Sequence, residues 1–400
     1  MRGERDERET RAGMAGETSG AVPRDGGDSL GGDGLDMEGG GEAGIARRVP
    51  AFDGGDAPGP RILRPTRRAL LRAGLGLAAG APLAGLLAAC NEPTARTAPP
   101  TPSPTATQTP APTPTPDVRP ITVAVTGDIM LGRSVNTMLV STSDRFPFNY
   151  TAEYLQGFDL TIGNLECVVS TLGRPEPKEF TFEASPRGFE RLAAAGFDVV
   201  SVANNHSGDY GKQAFMDMLA HLPEYGILPV GGGANLHVAH VPVIRALHGT
   251  RLGILAYCEI GPENFVATDS TPGHAWLDPD LMTADIRRVR PQVDFLLVFT
   301  HWGIEYQLEE TDHQVAMAHL AVDAGADFVV GAHPHVRQPS ETYRGKPIVY
   351  SLGNFVFDEM PGPEESQGSV LALTIQGSKL LDWRLRTSRI VGAYGEPRWE

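Results

Sequence analysis

From Val118 to Glu400, short apolar runs alternate with amphipathic segments along the chain. Six runs are rich in β-branched side chains and stop at a small or polar residue, which is typical of buried strands: ITVAVTG, DVVSVAN, RLGILAYC, DFLLVFTH, DFVVGAH and PIVYSLGN. Helical patterns that close on glycine lie between several of them, as in SPRGFERLAAAG and TDHQVAMAHLAVDAG. This alternation predicts an α/β fold with layers of strands and helices.

Polar side chains of only a few types follow the predicted strands. They are Asp128 after the first run, Asn204, Asn205 and His206 after the second, His301 after DFLLVFT, His333 and His335 after DFVVGA, and Asn354 after PIVYSLG. In open α/β sheets, ligand sites gather at the carboxyl ends of strands, so these clusters are expected to converge on one cleft. Taken singly, each of them could equally be a loop residue that faces water.

The metal ligands among these residues would be one Asp, one Asn and three His, and GNLE adds Glu166. Oxygen and imidazole ligands without thiolate suit Mn, Fe, Zn or Co and argue against a structural cysteine-rich zinc site. Six protein ligands exceed what one catalytic ion with open positions uses. They suit two ions about 3.5–4 Å apart that share a bridging carboxylate, activate a water and clamp an anionic transition state.

Six motifs occur in order over residues 121–358: VTGDIMLGR, GNLE, VANNHSGDYG, THWGIEY, GADFVVGAHPHV and YSLGNFVFD. Together they resemble the CapA family of bacterial poly-γ-glutamate capsule synthesis proteins, which is related to calcineurin-like metallophosphoesterases. The resemblance implies a four-layer α/β/β/α sandwich of metallophosphoesterase type, with its site at one edge of two packed sheets.

The resemblance also implies a role for each site residue. The first ion would be bound by Asp128 and the second by Asn205 and His301, with Glu166 as the bridge and His333 and His335 divided between the two ions. His206 matches the histidine that protonates a leaving group or steadies the attacked phosphorus. Asp209 could orient that imidazole, as carboxylates commonly do.

One residue departs from the phosphoesterase pattern. The phosphoesterases begin with Asp-x-His, in which the histidine is a ligand of the first ion, whereas this chain has Met130 in GDIM. A thioether is a poor ligand for hard divalent ions. The first ion is therefore expected to be weakly held, replaced by water or absent. CapA-like sequences generally share this apolar residue, which puts ordinary phosphodiesterase activity in doubt.

Four further residues are candidates for contact with a substrate: Arg133, Glu305, Gln338 and Asn354. Arg133 could instead be a surface charge, and Glu305 could instead cap a turn. Gln338 and its neighbour Glu341 match a family pattern but could equally lie on a solvated loop. Trp302, in the same HWGIEY motif as Glu305, could line the cleft or pack in the core.

The first 117 residues divide by composition into three segments. Residues 1–60 have few large apolar side chains, which predicts a disordered, acidic, Gly-rich extension. Residues 61–90 resemble a twin-arginine-like lipoprotein signal peptide, in which Arg67 and Arg68 precede an apolar run and Cys90 is the lipidated residue. The alternative is a signal anchor with an incidental cysteine. Residues 91–117 predict a Pro/Thr-rich linker that holds a domain, residues 118–400, outside the cytoplasm at the cell membrane.

Charge and cysteine content limit the partners. The chain has a formal net charge of −15, and its first 117 residues hold 13 basic and 15 acidic side chains, which leaves −13 for residues 118–400. A domain this acidic is a poor candidate for nucleic acid, because binding rests on neutralising phosphates with Lys and Arg. Cys167 and Cys258 could pair outside the cytoplasm, or could stay free and buried.

Three functions are compatible with these features. The first is a lipid-anchored CapA-like protein in capsule or poly-γ-glutamate biosynthesis, export or release, acting as a hydrolase-like enzyme with one or two divalent ions (Mn, Zn or Fe). The second is a non-catalytic component that binds the anionic polymer beside membrane synthase subunits, which Met130 motivates. The third is a secreted phosphatase or nucleotidase, which Met130 disfavours.

Overall fold

The structure is a computed structural model that describes residues 118–142, 145–262, 265–358, 360 and 362–400. The predicted acidic extension, the signal peptide with Cys90 and the linker all lie outside the described residues. Within the described part of the chain, no helix is long and apolar enough to cross a membrane.

Strands and helices alternate over most of this part of the chain. The strands are β1 (Ile121–Ile129), β2 (Leu160–Leu165), β3 (Val168–Val169), β4 (Glu183–Ala184), β5 (Val199–Ser201), β6 (Leu228–Val230), β7 (Gly232–Gly233), β8 (Val243–Leu247), β9 (Thr250–Cys258), β10 (Gly273–His274), β11 (Phe295–His301), β12 (Phe328–Ala332), β13 (Ser340–Tyr343), β14 (Lys346–Val349), β15 (Asn354–Val356), β16 (Gln367–Gln376), β17 (Lys379–Val391) and β18 (Glu396–Trp399). The α-helices are α1 (Arg133–Ser141), α2 (Ala152–Leu155), α3 (Arg187–Ala195), α4 (Gly211–His221), α5 (Leu236–Ala239), α6 (Pro279–Val289) and α7 (Asp312–Ala324).

Two large sheets form the centre of the fold. The first sheet has the order β18-β17-β16-β1-β2-β5-β6, and β15 also pairs with β1. The second sheet has the order β13-β14-β12-β11-β9-β8. In each sheet the central strands are parallel, namely β1, β2, β5 and β6 in the first and β9, β11, β12 and β14 in the second. Parallel strands end at the same edge, so their carboxyl ends present their loops together.

The two sheets pack face to face, and the helices cover their outer faces. Alternate residues of β1, such as Val123 and Val125, lie in the cluster between the sheets together with Leu297 and Phe299 of β11. The outer face of the first sheet buries the apolar sides of α1 to α4. The outer face of the second sheet buries those of α6 and α7. The structure thus confirms the predicted four-layer α/β/β/α sandwich.

The six apolar runs and the two helical patterns all form the predicted type of element. The two helical patterns correspond to α3 and α7, and each ends at a glycine with a positive φ, 98° at Gly196 and 125° at Gly325. Helix α7 also begins with a capping box, in which Thr311 accepts from the backbone N of Gln314 and the Gln314 side chain accepts from the backbone N of Thr311.

Candidate metal centre

Side chains from the carboxyl ends of both sheets meet at one edge of the sandwich. Asp128 ends β1 and Glu166 follows β2, while His301 ends β11, and His333 and His335 follow β12. All five are buried, with His335 the most exposed at 4%. The predicted convergence of the strand-end residues is present in the structure.

Glu166 faces the imidazole rings. Its Oε1 atom lies 3.5 Å from Nε2 of His301 and 3.9 Å from Nε2 of His335. One ligand atom each from Glu166, His333 and His335 can be chosen so that all three lie within 4.8 Å of one another. A carboxylate and imidazoles at this spacing form a donor set that suits a divalent transition metal.

Some polar atoms of this cluster have no hydrogen-bond partner among the described residues. Both carboxylate oxygens of Glu166 and Nδ1 of His333 are buried and unpartnered. A buried polar group without a partner costs roughly 1–3 kcal/mol, and more if it is charged. A cation bound between Glu166 and the histidines would satisfy these atoms, so the residues present fit a metal ion.

The charges of the cluster are strongly coupled. Burial raises the pKa of Glu166 well above its usual range, and the negative charge of Asp128 adds to this effect. Burial alone would lower the pKa of His335, but the carboxylates of Glu166 and Asp128 outweigh it and raise that pKa to about 10. Burial lowers the pKa of His301 and His333, which keeps both rings neutral and able to bind a metal.

Asn164 ties the cluster together, and the sequence analysis missed it. Its Nδ2 donates to Oδ1 of Asp128 at 2.8 Å and lies 3.1 Å from Nδ1 of His301. Its Oδ1 accepts from Asn204 at 3.1 Å. In the sequence it appears as the Asn of the GNLE motif, two residues before Glu166 and near the end of β2.

Asn205 and Asn204 have different positions. Oδ1 of Asn205 lies 2.8 Å from Nε2 of His301, so this side chain belongs to the cluster. The side chain of Asn204 is fully buried behind it and donates to the carbonyl of Leu165 at 2.8 Å. Asn204 therefore supports the loop, while Asn205 faces the histidines.

His206 is held on two sides beside the cluster. Its Nδ1 donates to Oδ2 of Asp209 at 2.8 Å, and its ring stacks on Phe182 at a centroid distance of 4.1 Å. Asp209 is anchored by the backbone N of Phe182 at 2.6 Å and by an ion pair with Lys178. Burial lowers the pKa of His206, and the hydrogen bond to Asp209 opposes that effect. No local sequence pattern indicated Lys178 or Phe182.

The loop that carries GAHPHV has an unusual backbone. His333 has a φ of 96° and His335 a φ of 58°, values that L-residues other than glycine rarely adopt. The backbone N of His333 donates to Oδ2 of Asp128 at 3.2 Å, and the carbonyl of Pro334 accepts from the backbone N of Tyr306 at 2.7 Å. These contacts hold both imidazoles toward Glu166.

Residues 122–359 match the family model described as the bacterial capsule synthesis protein PGA_cap. The chain belongs to this capsule synthesis family. The resemblance to CapA proteins is thereby confirmed, and the matched residues include every member of the cluster from Asp128 to His335.

Two relatives carry the CapA name. The capsule biosynthesis protein CapA of Bacillus anthracis is 32% identical over 273 residues, which cover 66% of this chain and 66% of that protein. The PGA biosynthesis protein CapA of Bacillus subtilis (strain 168) is 33% identical over 242 residues, which cover 60% of this chain and 64% of that protein. The match therefore spans slightly less than two thirds of each relative.

Two solved structures from Thermus thermophilus are also similar. A hypothetical protein has a TM-score of 0.42 at 17% identity, and the match covers 67% of this chain and 98% of that one. A 5'-nucleotidase precursor has a TM-score of 0.37 at 15% identity, with 67% of this chain and 54% of that one covered.

Met130 points away from the cluster of this capsule-family protein. Its side chain is fully buried in the hydrophobic cluster under α1 to α4, and its sulfur accepts from the backbone N of Gly132 at 3.0 Å. It contributes no oxygen or nitrogen ligand next to Asp128. Both Cys167 and Cys258 are free and buried, and burial raises the pKa of the Cys167 thiol to about 12.

The four predicted substrate residues have different surroundings, and their contact with a substrate stays a prediction. Arg133 pairs with Asp358, and Glu305 is exposed on the loop after β11. Gln338 is buried and donates to the carbonyls of residues 307 and 309. Asn354 is buried, and its Oδ1 accepts from Nδ1 of His335 at 2.9 Å.

Glu341 and Trp302, which lie near these candidates in the sequence, have partners outside the metal cluster. Glu341 accepts from His319 and from Tyr350, both at 2.6 Å. Trp302 is fully buried and donates to the carbonyl of Tyr350 at 2.9 Å, so it packs in the core and does not line the cleft.

A cavity of about 510 Å³ opens beside the centre. Its wall includes Asn205 and Asp209, which connect it to the metal ligands and to His206, and also Lys178, Lys212 and Phe265. Within the described residues Lys212 forms no ion pair or hydrogen bond. The cavity thus offers both a cation and an apolar wall next to the reactive groups.

Proposed function

We propose that this protein acts outside the cytoplasm in the synthesis, export or release of an anionic capsule polymer such as poly-γ-glutamate, as a metal-dependent hydrolase. Membership of the PGA_cap family supports the capsule role. The observation that carries the hydrolase role is the buried Glu166, whose unpartnered oxygens face the histidine rings. A fully buried carboxylate among imidazoles is costly unless a cation binds there.

The ion would be held by Glu166, Asn205, His301, His333 and His335, whose oxygen and nitrogen ligands suit Mn, Zn or Fe. At such a site a divalent ion acts as a Lewis acid and activates water. The protein excludes solvent around the ion, because the carboxylate and all three rings are buried.

His206 is the proposed general acid. Because its Nδ1 donates to Asp209, Nε2 is the atom that can exchange a proton with the leaving group. The stack on Phe182 fixes the ring plane, and the ion pair with Lys178 holds the Asp209 side chain in place. The cavity along Lys178, Lys212 and Phe265 gives room for a segment of an anionic polymer.

A lipid anchor at Cys90 and export by the twin-arginine-like signal complete the proposal. They rest on the residues RPTRRALLRAGLGLAAGAPLAGLLAAC alone. An anchored domain on a linker would work next to membrane synthase subunits, which would be its protein partners.

The test combines metal content with turnover. The protein is purified without chelator, analysed for metals, and assayed on poly-γ-glutamate and on a simple phosphodiester. We expect metal in the wild type, none in the His333→Ala, His335→Ala double variant, and turnover at least about a hundredfold lower in His206→Ala with its metal retained. His221→Ala, at the exposed end of α4, is the control and should behave as wild type.

Two results separate this proposal from its alternative. Bound metal without hydrolysis of any substrate would favour a non-catalytic component that binds the polymer, which the packing of Met130 into the core also suits. A folded protein that takes up no metal would refute the hydrolase mechanism itself.

A further inference from the structure

We infer that this centre takes one ion, and that Asp128 is a positioning residue for the histidine ligands His333 and His335 and does not bind the ion itself. The inference rests on the proposed function, because it concerns the same site. It differs from the ligand set that the family resemblance implies, in which Asp128 binds a first ion. The evidence is the direction in which the two ring nitrogens of His301 and His335 face.

His301 and His335 lie between Asp128 and Glu166. Their Nε2 atoms face Oε1 of Glu166, at 3.5 Å and 3.9 Å. Their Nδ1 atoms face Asp128, at 4.0 Å from Oδ1 for His301 and 3.4 Å from Oδ2 for His335. Nε2 and Nδ1 point to different sides of an imidazole, so an ion that contacts Glu166 and both Nε2 atoms lies away from Asp128.

The two carboxylates also differ in their partners. Oδ1 of Asp128 accepts from Asn164 at 2.8 Å, and Oδ2 accepts from the backbone N of His333 at 3.2 Å. Both oxygens of Glu166 are buried without a hydrogen-bond partner among the described residues. Asp128 is therefore satisfied by protein donors, whereas Glu166 is the carboxylate that requires a cation.

The ring of His335 fits this assignment. Its Nδ1 donates to Asn354 at 2.9 Å, so Nε2, which faces Glu166, is the atom that can bind a metal. In His301, Nδ1 accepts from Nδ2 of Asn164 at 3.1 Å and Nε2 donates to Oδ1 of Asn205 at 2.8 Å, so binding of an ion through Nε2 requires the ring proton to leave that atom. Metal-binding histidines generally donate their second N–H to a carboxylate or carbonyl, which fixes the tautomer and the ring orientation.

The distances also fit a single ion. Neighbouring ligand atoms at metal–ligand bond lengths near 2.1 Å lie roughly 3–4 Å apart. The ligand atoms of Glu166 and His301 are 3.5 Å apart and those of Glu166 and His335 are 3.9 Å apart, which is within this range. Met130, two residues after Asp128, supplies no oxygen or nitrogen ligand for a second ion, and its thioether is packed into the hydrophobic cluster.

The test measures stoichiometry and affinity separately, with Mn²⁺ as the probe. Titration calorimetry of the metal-depleted full chain gives both quantities, and electron paramagnetic resonance distinguishes an isolated Mn²⁺ from a coupled pair. The variants are Asp128→Asn and Glu166→Gln. Asp159→Asn is the control, because this carboxylate binds Thr122 at the opposite end of β1.

We expect one equivalent with an isolated-ion spectrum in the wild type and in Asp159→Asn, and no binding in Glu166→Gln. Asp128→Asn should still bind one equivalent, with an affinity roughly ten- to a hundredfold lower. Two equivalents with a coupled spectrum in the wild type would overturn the inference and leave the proposed function intact. An affinity for Mn²⁺ that is unchanged in a folded Asp128→Asn variant would also overturn the inference and leave the proposed function intact. No binding by the wild type would overturn both.

Discussion

At the scale of single residues, the metal centre depends on Gly331, where the backbone passes so close to its neighbours that a side chain would not fit. Gly331 is the first residue of GAHPHV, and a Cβ atom at this position would lie 2.0 Å from the carbonyl oxygen of Tyr350 and 2.4 Å from Nε1 of Trp302. This close approach lets β12 carry His333 and His335 to the edge of the sheet with positive φ values. The conformation of the two ligands thus depends on a residue without a side chain.

Gly331→Ala should therefore destabilise the protein by about 3 kcal/mol, because the clash is with backbone that cannot move aside. Urea unfolding measures the loss. The control is Gly226→Ala, where φ is 79° but no atom lies within 4 Å of the new Cβ, so only the cost of about 1–2 kcal/mol for a left-handed L-residue is expected. Equal losses in the two variants would contradict the steric explanation.

At the scale of elements, one carboxylate connects helix α6 to the residue that follows α5 and to strand β9. Asp285 of α6 accepts from His240, which follows α5, at 2.6 Å and from Tyr257 of β9 at 3.1 Å. Arg288, one turn later on α6, donates to Asp285 at 2.8 Å and to the carbonyl of His240 at 2.9 Å. This network holds α6 on the second sheet, the sheet that supplies the three histidines.

The network should make stability depend on pH. Burial alone would raise the pKa of Asp285, but the hydrogen bonds from His240 and Arg288 outweigh it and lower the pKa. A lowered pKa in the folded state gives a stabilisation that is complete above the pKa of the unfolded chain, about 3.9, and is lost as the pH falls further.

Asp285→Asn should consequently cost about 2 kcal/mol at neutral pH, the value of a hydrogen bond to a charged group. The difference from wild type should shrink in acid, as followed by thermal unfolding across a pH series. Asp269→Asn, at an exposed loop position, is the control with little effect. A difference that stays constant into acid would argue against an ionised Asp285 as the cause.

At the scale of the whole molecule, the centre joins the two sheets. Glu166 and Asn205 follow strands of the first sheet, whereas His301, His333 and His335 come from the second. An ion bound by all of them would link the two β-layers at the edge where their strands end. It would bind the folded state only, because the unfolded chain does not bring these residues together.

Divalent ion should therefore raise the melting temperature. At a free concentration a hundred times Kd the stabilisation is about 2.7 kcal/mol, which corresponds to several degrees for a domain of this size. Differential scanning fluorimetry with Mn²⁺ or Zn²⁺ measures the shift, and chelator should reverse it. Glu166→Gln should show no shift, and a shift as large as that of the wild type would mean that the ions bind elsewhere.

The sequence by itself determined the elements and the edge at which they meet. Apolar runs such as DFLLVFTH and amphipathic runs such as TDHQVAMAHLAVDAG have periods that only strands and helices satisfy. Because the carboxyl ends of parallel strands lie at one edge, the sequence alone groups Asp128, His301 and His333. Met130 was also visible as a departure from the phosphoesterase pattern, although its place in the core was not.

Only the tertiary structure decided which atoms face one another. Asn164, Lys178 and Phe182 act through partners that are distant in the chain, as in the hydrogen bond from Asn164 to Asp128 across 36 positions. The sequence also does not show which ring nitrogen of each histidine faces Glu166, because hydrogen bonds to residues of other strands set the orientation of the ring. Periodicity determines which residues reach the edge, and packing between strands and sheets determines which of their atoms can bind an ion.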